Sequence, residues 1–168
     1  MASSSHDVVR TDDSFPWRAG VGAGVIAGIV FLMTEMLLVW LVQGESPWGP
    51  PRMIAAMVMG ERVLPPPATF DFGIVMVAMV IHFALSILYG LVVAILFRRL
   101  RMGTAAIAGL VLSLALYFVN FYPVANVLFP WFAKARGTIS LFAHALYGLV
   151  LGDAYVALRR SRTALPDR

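Results

Sequence analysis

The sequence predicts an all-α integral membrane protein, built as a bundle of four transmembrane helices. Hydrophobic residues make up 60% of the 168 positions, against about 45–50% in soluble globular domains. Charged residues make up 13%, roughly half of the usual ~25%. A soluble domain of this length has too much surface for its volume to bury so much apolar side chain. We therefore expect lipid to surround most of the chain.

Four long apolar segments predict where the helices lie. They are residues 19–43, 72–97, 102–122 and 138–158. Each has the ~20 residues that cross a hydrocarbon core of about 30 Å at a rise of about 1.5 Å per residue. A membrane barrel would instead show segments of about ten residues with alternating hydrophobicity. The sequence has no such segments, so helices are the predicted spanning elements.

The distribution of basic residues predicts that both termini are cytoplasmic. The tails 1–18 and 159–168 and the short second connection carry most of them: Arg10, Arg18, Arg98, Arg99, Arg101, Arg159, Arg160, Arg162 and Arg168. The other two connections carry Arg52, Arg62, Lys134 and Arg136. Loops rich in Lys and Arg stay in the cytoplasm. The first and third connections are therefore predicted to face outward.

The long outer connection, residues 44–71, has prolines near both ends, at 47, 50 and 51 and again at 65–67. Residues 52–64 between them are apolar with charges at their ends. Prolines ahead of such a segment suit a helix start. We expect either a short helix on the outer membrane interface or an ordered loop.

The chain resembles two tandem helix pairs that share one orientation, a parallel repeat. The second helix has His82, Ser86 and Gly90 at spacings of four, and the fourth has His144, Gly148 and Gly152. The pentapeptide Leu-Tyr-Gly-Leu-Val also occurs in both helices, at 88–92 and 146–150, in a register that differs by four residues. Chance similarity between apolar helices is the alternative.

Small residues recur on one face of each helix, toward its cytoplasmic end. The predicted packing positions are Gly20, Gly24, Gly28, Ser86, Gly90, Gly109, Gly148 and Gly152. Residues at spacings of four lie on one side of a helix, and small residues let helix backbones approach closely in lipid. We predict tight packing there. We also expect a homo-oligomer through the glycine faces, or partner membrane subunits.

Each helix also has one polar residue in its outer half: Glu35, His82, Asn120 and His144. All four lie within roughly 15 Å of the outer helix ends, counted at about 1.5 Å per residue. We predict an outward-facing pocket that binds or moves a small solute or cation. Glu35 would be the proton or cation acceptor, and Asn120 a hydrogen-bonding wall. A carboxylate in a membrane helix costs about 2.5–3.5 kcal/mol and needs a partner, so a buried polar clamp is the alternative for Glu35.

The two histidines, His82 and His144, admit three interpretations. They could ligate a b-type haem axially, or form a two-histidine, one-carboxylate metal site with Glu35. They could also hydrogen-bond across the helices in a structural or proton-relay role. In the predicted pocket they would be ligands or relay members. Close-packed glycines leave little room for haem on the cytoplasmic side, so we expect no resident cofactor.

Several function classes are disfavoured by what the sequence lacks. There is no cysteine, which excludes thiolate metal sites and cysteine nucleophiles. There is no phosphate-binding loop, serine-nucleophile motif or HExxH motif, so we do not expect an enzyme. Basic residues lie at helix ends rather than in a patch, so we expect no nucleic acid. Two alternatives to solute binding are a non-catalytic accessory or assembly subunit of a membrane complex, and a haem- or metal-binding electron-transfer protein.

Three stretches carry a resemblance to known proteins. They are GESPWGPPRMIAA at 44–56, VLPPPATFD at 63–71, and NFY at 120–122 with FPWFA at 129–133. The chain resembles, over nearly its whole length, a set of small bacterial inner-membrane proteins that often carry the label "sodium:proline symporter". More distantly, its helix pattern is similar to the YagU-like membrane proteins. The resemblance implies a multi-pass protein of the bacterial inner membrane with a role in solute transport.

Overall fold

The computed structural model describes residues 16–64 and 66–163, so most of the two predicted tails lies outside the described residues. This part of the chain forms α-helices and short π- and 3-10-helical turns, with no strand. The α-helices are α1 Trp17–Leu38, α2 Gly49–Met59, α3 Phe72–Leu96, α4 Thr104–Val119, α5 Ala125–Leu128 and α6 Thr138–Thr163. The prediction of an all-α fold is confirmed.

Four helical segments of the described chain are long and apolar enough to cross a membrane. They are Trp17–Gln43, Phe72–Leu96, Thr104–Leu128 and Thr138–Ser161. The first and third extend beyond α1 and α4 through π-helical turns, Val39–Gln43 and Asn120–Val124. The third therefore continues past Pro123, although a proline removes a backbone donor and usually ends a helix. The protein is a membrane protein with a four-helix bundle.

The bundle has three closed sides and one open side. Helix α1 packs along α3, α4 packs along α6, and the two pairs meet where α1 packs along α6. The fourth pair of neighbours, α3 and α4, is hardly in contact. We call the gap between α3 and α4 the open side. Each predicted tandem pair is thus one closely packed pair of helices.

The bundle has two chemically different ends. The loop end has the connection between α1 and α3 and the segment 120–137 between α4 and α6. The arginine end has the connection 97–103 and Arg159, whose guanidinium donates to the Phe97 carbonyl at 3.0 Å and to the Leu100 carbonyl at 2.7 Å. The predicted orientation places the arginine end in the cytoplasm.

Glycines bring α1 and α3 into backbone contact near the arginine end. A methyl group added at Gly20 would lie 2.7 Å from the Gly90 carbonyl oxygen, and one at Gly24 would lie 2.5 Å from the Ser86 carbonyl oxygen. The Ser86 hydroxyl also donates to the Gly24 carbonyl at 2.6 Å. The two helices can approach this closely only because these positions have no side chain.

The second pair, α4 and α6, is packed in the same way. A methyl group at Gly148 would lie 2.7 Å from the carbonyl carbon of Gly109, and one at Gly152 would lie 2.5 Å from the carbonyl carbon of Ala105. The Ser113 hydroxyl donates to the His144 carbonyl at 2.7 Å. All eight predicted packing positions thus face a helix of the same chain. The oligomer that we expected through these glycines stays a prediction.

Hydrogen bonds between α3 and α6 fix the relative height of the two halves. The Tyr147 hydroxyl contacts the Ser86 hydroxyl at 3.1 Å, and the Tyr155 hydroxyl donates to the Ala94 carbonyl at 3.2 Å. Each pair is separated by 61 residues, close to the spacing of His82 and His144. The packing therefore follows the register that aligns the two histidines, rather than that of the shared pentapeptide.

The long connection at the loop end contains the short helix α2, so the helical alternative is the one observed. Its first turn contains two prolines, as expected for a helix start. Arg52 on this helix is only 8% exposed, and it donates to the carbonyls of Thr69 and Val63 at 2.9 Å each. The Trp131 indole donates to the Met53 carbonyl at 3.0 Å. The Arg52 bonds order the connection itself, and the Trp131 bond joins it to the segment 120–137.

Candidate functional site

A cavity of about 510 Å³ occupies the half of the bundle toward the loop end. Its size lies in the range of about 300–1,000 Å³ that is usual for small-molecule sites. All four helices of the bundle contribute to its wall, and so do the two connections at the loop end. The four polar residues that the sequence singled out line it together: Glu35, His82, Asn120 and His144.

Glu35 is the buried acidic residue of this cavity. It lies on α1, and only 6% of it is exposed. Its side chain forms a hydrogen bond with the hydroxyl of Ser140 on α6. Ser140 is itself 3% exposed. A carboxyl with a neutral partner retains further hydrogen-bonding capacity, because each carboxyl oxygen accepts more than one bond.

Each histidine has one ring nitrogen held by a backbone carbonyl. The Nε2 of His82 lies 2.9 Å from the Gly28 carbonyl oxygen, and the Nδ1 of His144 lies 2.7 Å from the Ser140 carbonyl oxygen. A carbonyl only accepts, so each of these nitrogens must be the donor. The remaining nitrogen, Nδ1 of His82 and Nε2 of His144, keeps its lone pair when the ring is neutral.

One aromatic ring, Phe31, packs against both imidazoles. Its centroid is 5.7 Å from that of His82 in a stacked arrangement and 4.8 Å from that of His144 in an edge-to-face arrangement. Axial ligation of one haem needs both imidazoles to converge on a single iron. That arrangement would require Phe31 to leave its place, so the geometry does not favour the haem interpretation.

The two-histidine, one-carboxylate metal site is not formed in this arrangement. Within residues 16–64 and 66–163, no three His, Asp or Glu side chains are grouped so that they could hold a metal ion. Glu35 is bonded to Ser140, and each histidine has one nitrogen committed to a carbonyl. Glu35 and the remaining nitrogen of each histidine can still form hydrogen bonds with a molecule in the cavity.

Asn120 begins the π-helical turn Asn120–Val124, which lies between α4 and α5. Such turns are frequent at functional sites because they change the direction of side chains within a helix. Next to it, Arg136 donates to the Phe121 carbonyl at 2.6 Å and also bonds the Asn126 side chain. Arg136, Lys134 and Glu45 line the cavity toward the loop end, and we call these three residues the mouth.

Sequence reasoning missed two residues that organise the site. Ser140 contacts both Glu35 and His144, and Phe31 contacts both histidines. Ser140 precedes His144 by four positions, and Phe31 precedes Glu35 by four, so each shares a helix face with a predicted site residue. The sequence shows that spacing, but a serine and a phenylalanine in an apolar helix are less conspicuous than a glutamate or a histidine.

Comparisons with known proteins give a family for the chain. No curated protein and no solved structure matches it. One family model matches residues 16–165, which include all the described helices. The chain therefore belongs to the family of unknown function DUF6789.

Proposed function

We propose that this membrane protein binds a small solute in the cavity, and that Glu35 is the group that accepts the solute's hydrogen bond or positive charge. The observation that supports this most is that a carboxyl only 6% exposed borders a cavity of 510 Å³. A polar clamp between helices would be surrounded by packed side chains, because protein interiors are close-packed. Glu35 instead has one neutral partner and open space beside it.

The two histidines supply further acceptors for the same solute. Their donor nitrogens are held by the carbonyls of Gly28 and Ser140, so each ring has a fixed orientation and one free nitrogen. Fixed rings reduce the loss of side-chain freedom when a solute binds. Asn120 adds an amide to the wall, with both donor and acceptor atoms. In this proposal the four polar groups orient the solute, and the apolar wall encloses the rest of it.

The cavity faces outward if the positive-inside prediction holds. Toward the arginine end, the glycine contacts of α1 with α3 and of α4 with α6 close the bundle. A solute that is moved, rather than only bound, must pass this closed half. Transport would therefore need a second conformation in which the two helix pairs shift relative to each other. The label carried by the proteins that the chain resembles fits such a role.

Chemical modification of Glu35 tests the proposal directly. Dicyclohexylcarbodiimide reacts with carboxyls in apolar surroundings, and mass spectrometry of peptides locates the adduct. We expect modification of Glu35 in the purified protein in lipid nanodiscs, and slower modification when a bound solute covers it. The panel of solutes would include sodium, potassium, proline and organic amines. Glu45→Gln, at the mouth, is the matched control that should leave the reaction unchanged.

Uptake of solutes into proteoliposomes tests the same site through its function. We expect Glu35→Gln to abolish the binding or flux of every solute that protects Glu35 from the carbodiimide. If Glu35→Gln leaves all of these signals intact, the proposal is wrong.

A further inference from the structure

We propose that the cavity opens into the hydrocarbon of the bilayer through the open side, between α3 and α4, and that it takes an amphipathic amine from the lipid. Such an amine has a positively charged nitrogen and an apolar, aromatic-sized body. The inference rests on the proposed function, because it needs Glu35 to be the binding carboxyl. It adds the class of solute and the route by which the solute arrives.

The open side gives the cavity a lateral opening. Three of the four helix contacts that would enclose a square bundle are made, and the fourth, between α3 and α4, is nearly absent. Leu85 on α3 lines the cavity and is nevertheless 39% exposed. Leu116 on α4 also lines the cavity and is half-buried. Leu85 and Leu116 thus line the cavity from the two helices that border the open side.

The depth of this passage places it in lipid rather than in water. Leu85 lies about 20 Å along α3 from Phe72, at a rise of about 1.5 Å per residue. A hydrocarbon core is only about 30 Å thick. Helix α3 is apolar over its length and crosses as one of the four candidate spans. A solute that passes Leu85 therefore comes from among the lipid chains, and it must be apolar enough to dissolve there.

The lining of the cavity favours an amine among apolar solutes. Its wall is mainly apolar and includes several aromatic rings, among them Phe31, Tyr89 and Tyr147, together with Glu35. Aromatic faces attract cations at short range, and a carboxylate forms charge-assisted bonds with an ammonium group. An inorganic cation such as calcium needs six to eight oxygen ligands, and within the described residues no three His, Asp or Glu side chains are grouped to hold a metal ion.

The charges at the mouth favour the lateral route for a cation. Lys134 and Arg136 carry positive charge there, and Glu45 carries negative charge. The mouth thus has a net positive charge, which repels a cation that approaches from water. Helices α3 and α4, which border the open side, contribute no Arg, Lys, Asp or Glu to the cavity lining. An amine dissolved in the membrane would avoid the mouth altogether.

Three radiolabelled probes with the same naphthalene body test the class of solute. They are 2-(1-naphthyl)ethylamine, the corresponding alcohol, and 1-naphthaleneacetate. The full chain in phosphatidylcholine nanodiscs is dialysed against each probe, with empty nanodiscs as the control for partition into lipid. We expect the amine to be retained about tenfold more tightly than the other two, which is the effect of one favourable charge pair. Glu35→Gln should remove this preference, and carbodiimide-treated wild type should lose it without any substitution.

The route is tested by the rate of amine binding, measured by rapid filtration. Leu85→Phe with Leu116→Phe narrows the open side. The matched control is Leu88→Phe with Val111→Phe, on the same two helices, because those residues are 52% and 63% exposed and lie outside the cavity wall. We expect a several-fold slower association only for the first pair. Equal rates for both pairs would overturn lateral entry while the proposed function stands.

The remaining outcomes separate the two proposals. If sodium or proline protects Glu35 from the carbodiimide and no naphthyl probe binds, the amine class is wrong and the proposed function stands. If wild type and Glu35→Gln retain all three probes equally, the amine class is wrong; if, in addition, no solute protects Glu35 from the carbodiimide, both proposals fail. If Leu85→Cys forms a disulfide-linked dimer in the membrane, a second copy covers the open side, and lateral entry is wrong.

Discussion

His82 donates from Nε2 to the carbonyl oxygen of Gly28 at 2.9 Å, and this bond joins α3 to α1 beside the cavity. His144, which lies at a similar height on α6, donates instead to Ser140 within its own helix. The two histidines of the predicted repeat therefore have different structural roles. One holds two helices together, and the other is held by its own helix.

This difference predicts unequal losses of stability. We expect His82→Leu to lower the free energy of unfolding by about 0.6 kcal/mol, the average for hydrogen bonds between membrane helices, and by at most about 1.7 kcal/mol. His144→Leu removes a hydrogen bond within α6 and should cost less, because a leucine can still pack against the rings of Phe31, Tyr117 and Phe121. Thermal unfolding in mild detergent, followed by tryptophan fluorescence, compares the two. A larger loss for His144→Leu would contradict the assignment.

Two glycines of α1, only two positions apart, should respond oppositely to alanine. A methyl group at Gly24 would lie 2.5 Å from the Ser86 carbonyl oxygen and 2.9 Å from the Ile87 Cα, and backbone atoms cannot easily move away. We expect Gly24→Ala to cost about 1–3 kcal/mol through overpacking. At Gly22 the methyl would meet only the flexible end of Leu158.

Gly22→Ala is therefore the matched control. It should be neutral or should stabilise the protein by up to about 1 kcal/mol, because alanine has the higher helix propensity. Unfolding by sodium dodecyl sulfate in mixed micelles measures both variants. Similar midpoints for Gly24→Ala and wild type would show that α1 and α3 are not in backbone contact at this level.

Arg52 should keep the outer connection ordered. Its guanidinium is buried and bonds the carbonyls of Thr69 and Val63, and hydrogen bonds to charged groups contribute about 1.5–3 kcal/mol each. We expect Arg52→Met to loosen the connection, so that trypsin cleaves faster after the exposed Arg62. Limited proteolysis followed by mass spectrometry measures the rate. Arg62→Gln removes the cleavage site, so the double variant Arg52→Met with Arg62→Gln should resist trypsin again. An unchanged cleavage rate in Arg52→Met would contradict the role of Arg52 in ordering the connection.

The orientation of the bundle can be read from single cysteines, because the chain has none of its own. Glu61 is exposed at the loop end and Arg101 is exposed at the arginine end. We expect Glu61→Cys to react in intact cells with a maleimide that cannot cross membranes. Arg101→Cys should react only after the cells are permeabilised, since arginine-rich connections stay in the cytoplasm. The reverse pattern would place the cavity on the cytoplasmic side.

The sequence alone determined the fold class and the number of candidate spans. Long apolar segments can only be helices in lipid, because every backbone donor and acceptor must be satisfied within the segment. Residue spacing likewise placed Glu35, His82, Asn120 and His144 in the halves of their helices toward the loop end, and small residues on the close-packed faces. These properties are local, so the spacing of residues along a helix and its rise per residue are enough to predict them.

The tertiary structure decided which side chains meet. Spacing gives the face of a helix on which a residue lies, but not the neighbour that this face contacts. For this reason the sequence did not predict that Ser140 bonds Glu35, or that Phe31 packs against both histidines. The same reason applies to the glycines, whose faces are filled by helices of the same chain. The open side exists because α1 packs along α6 while α3 and α4 stay apart, and contacts between distant segments depend on the packing of the whole bundle.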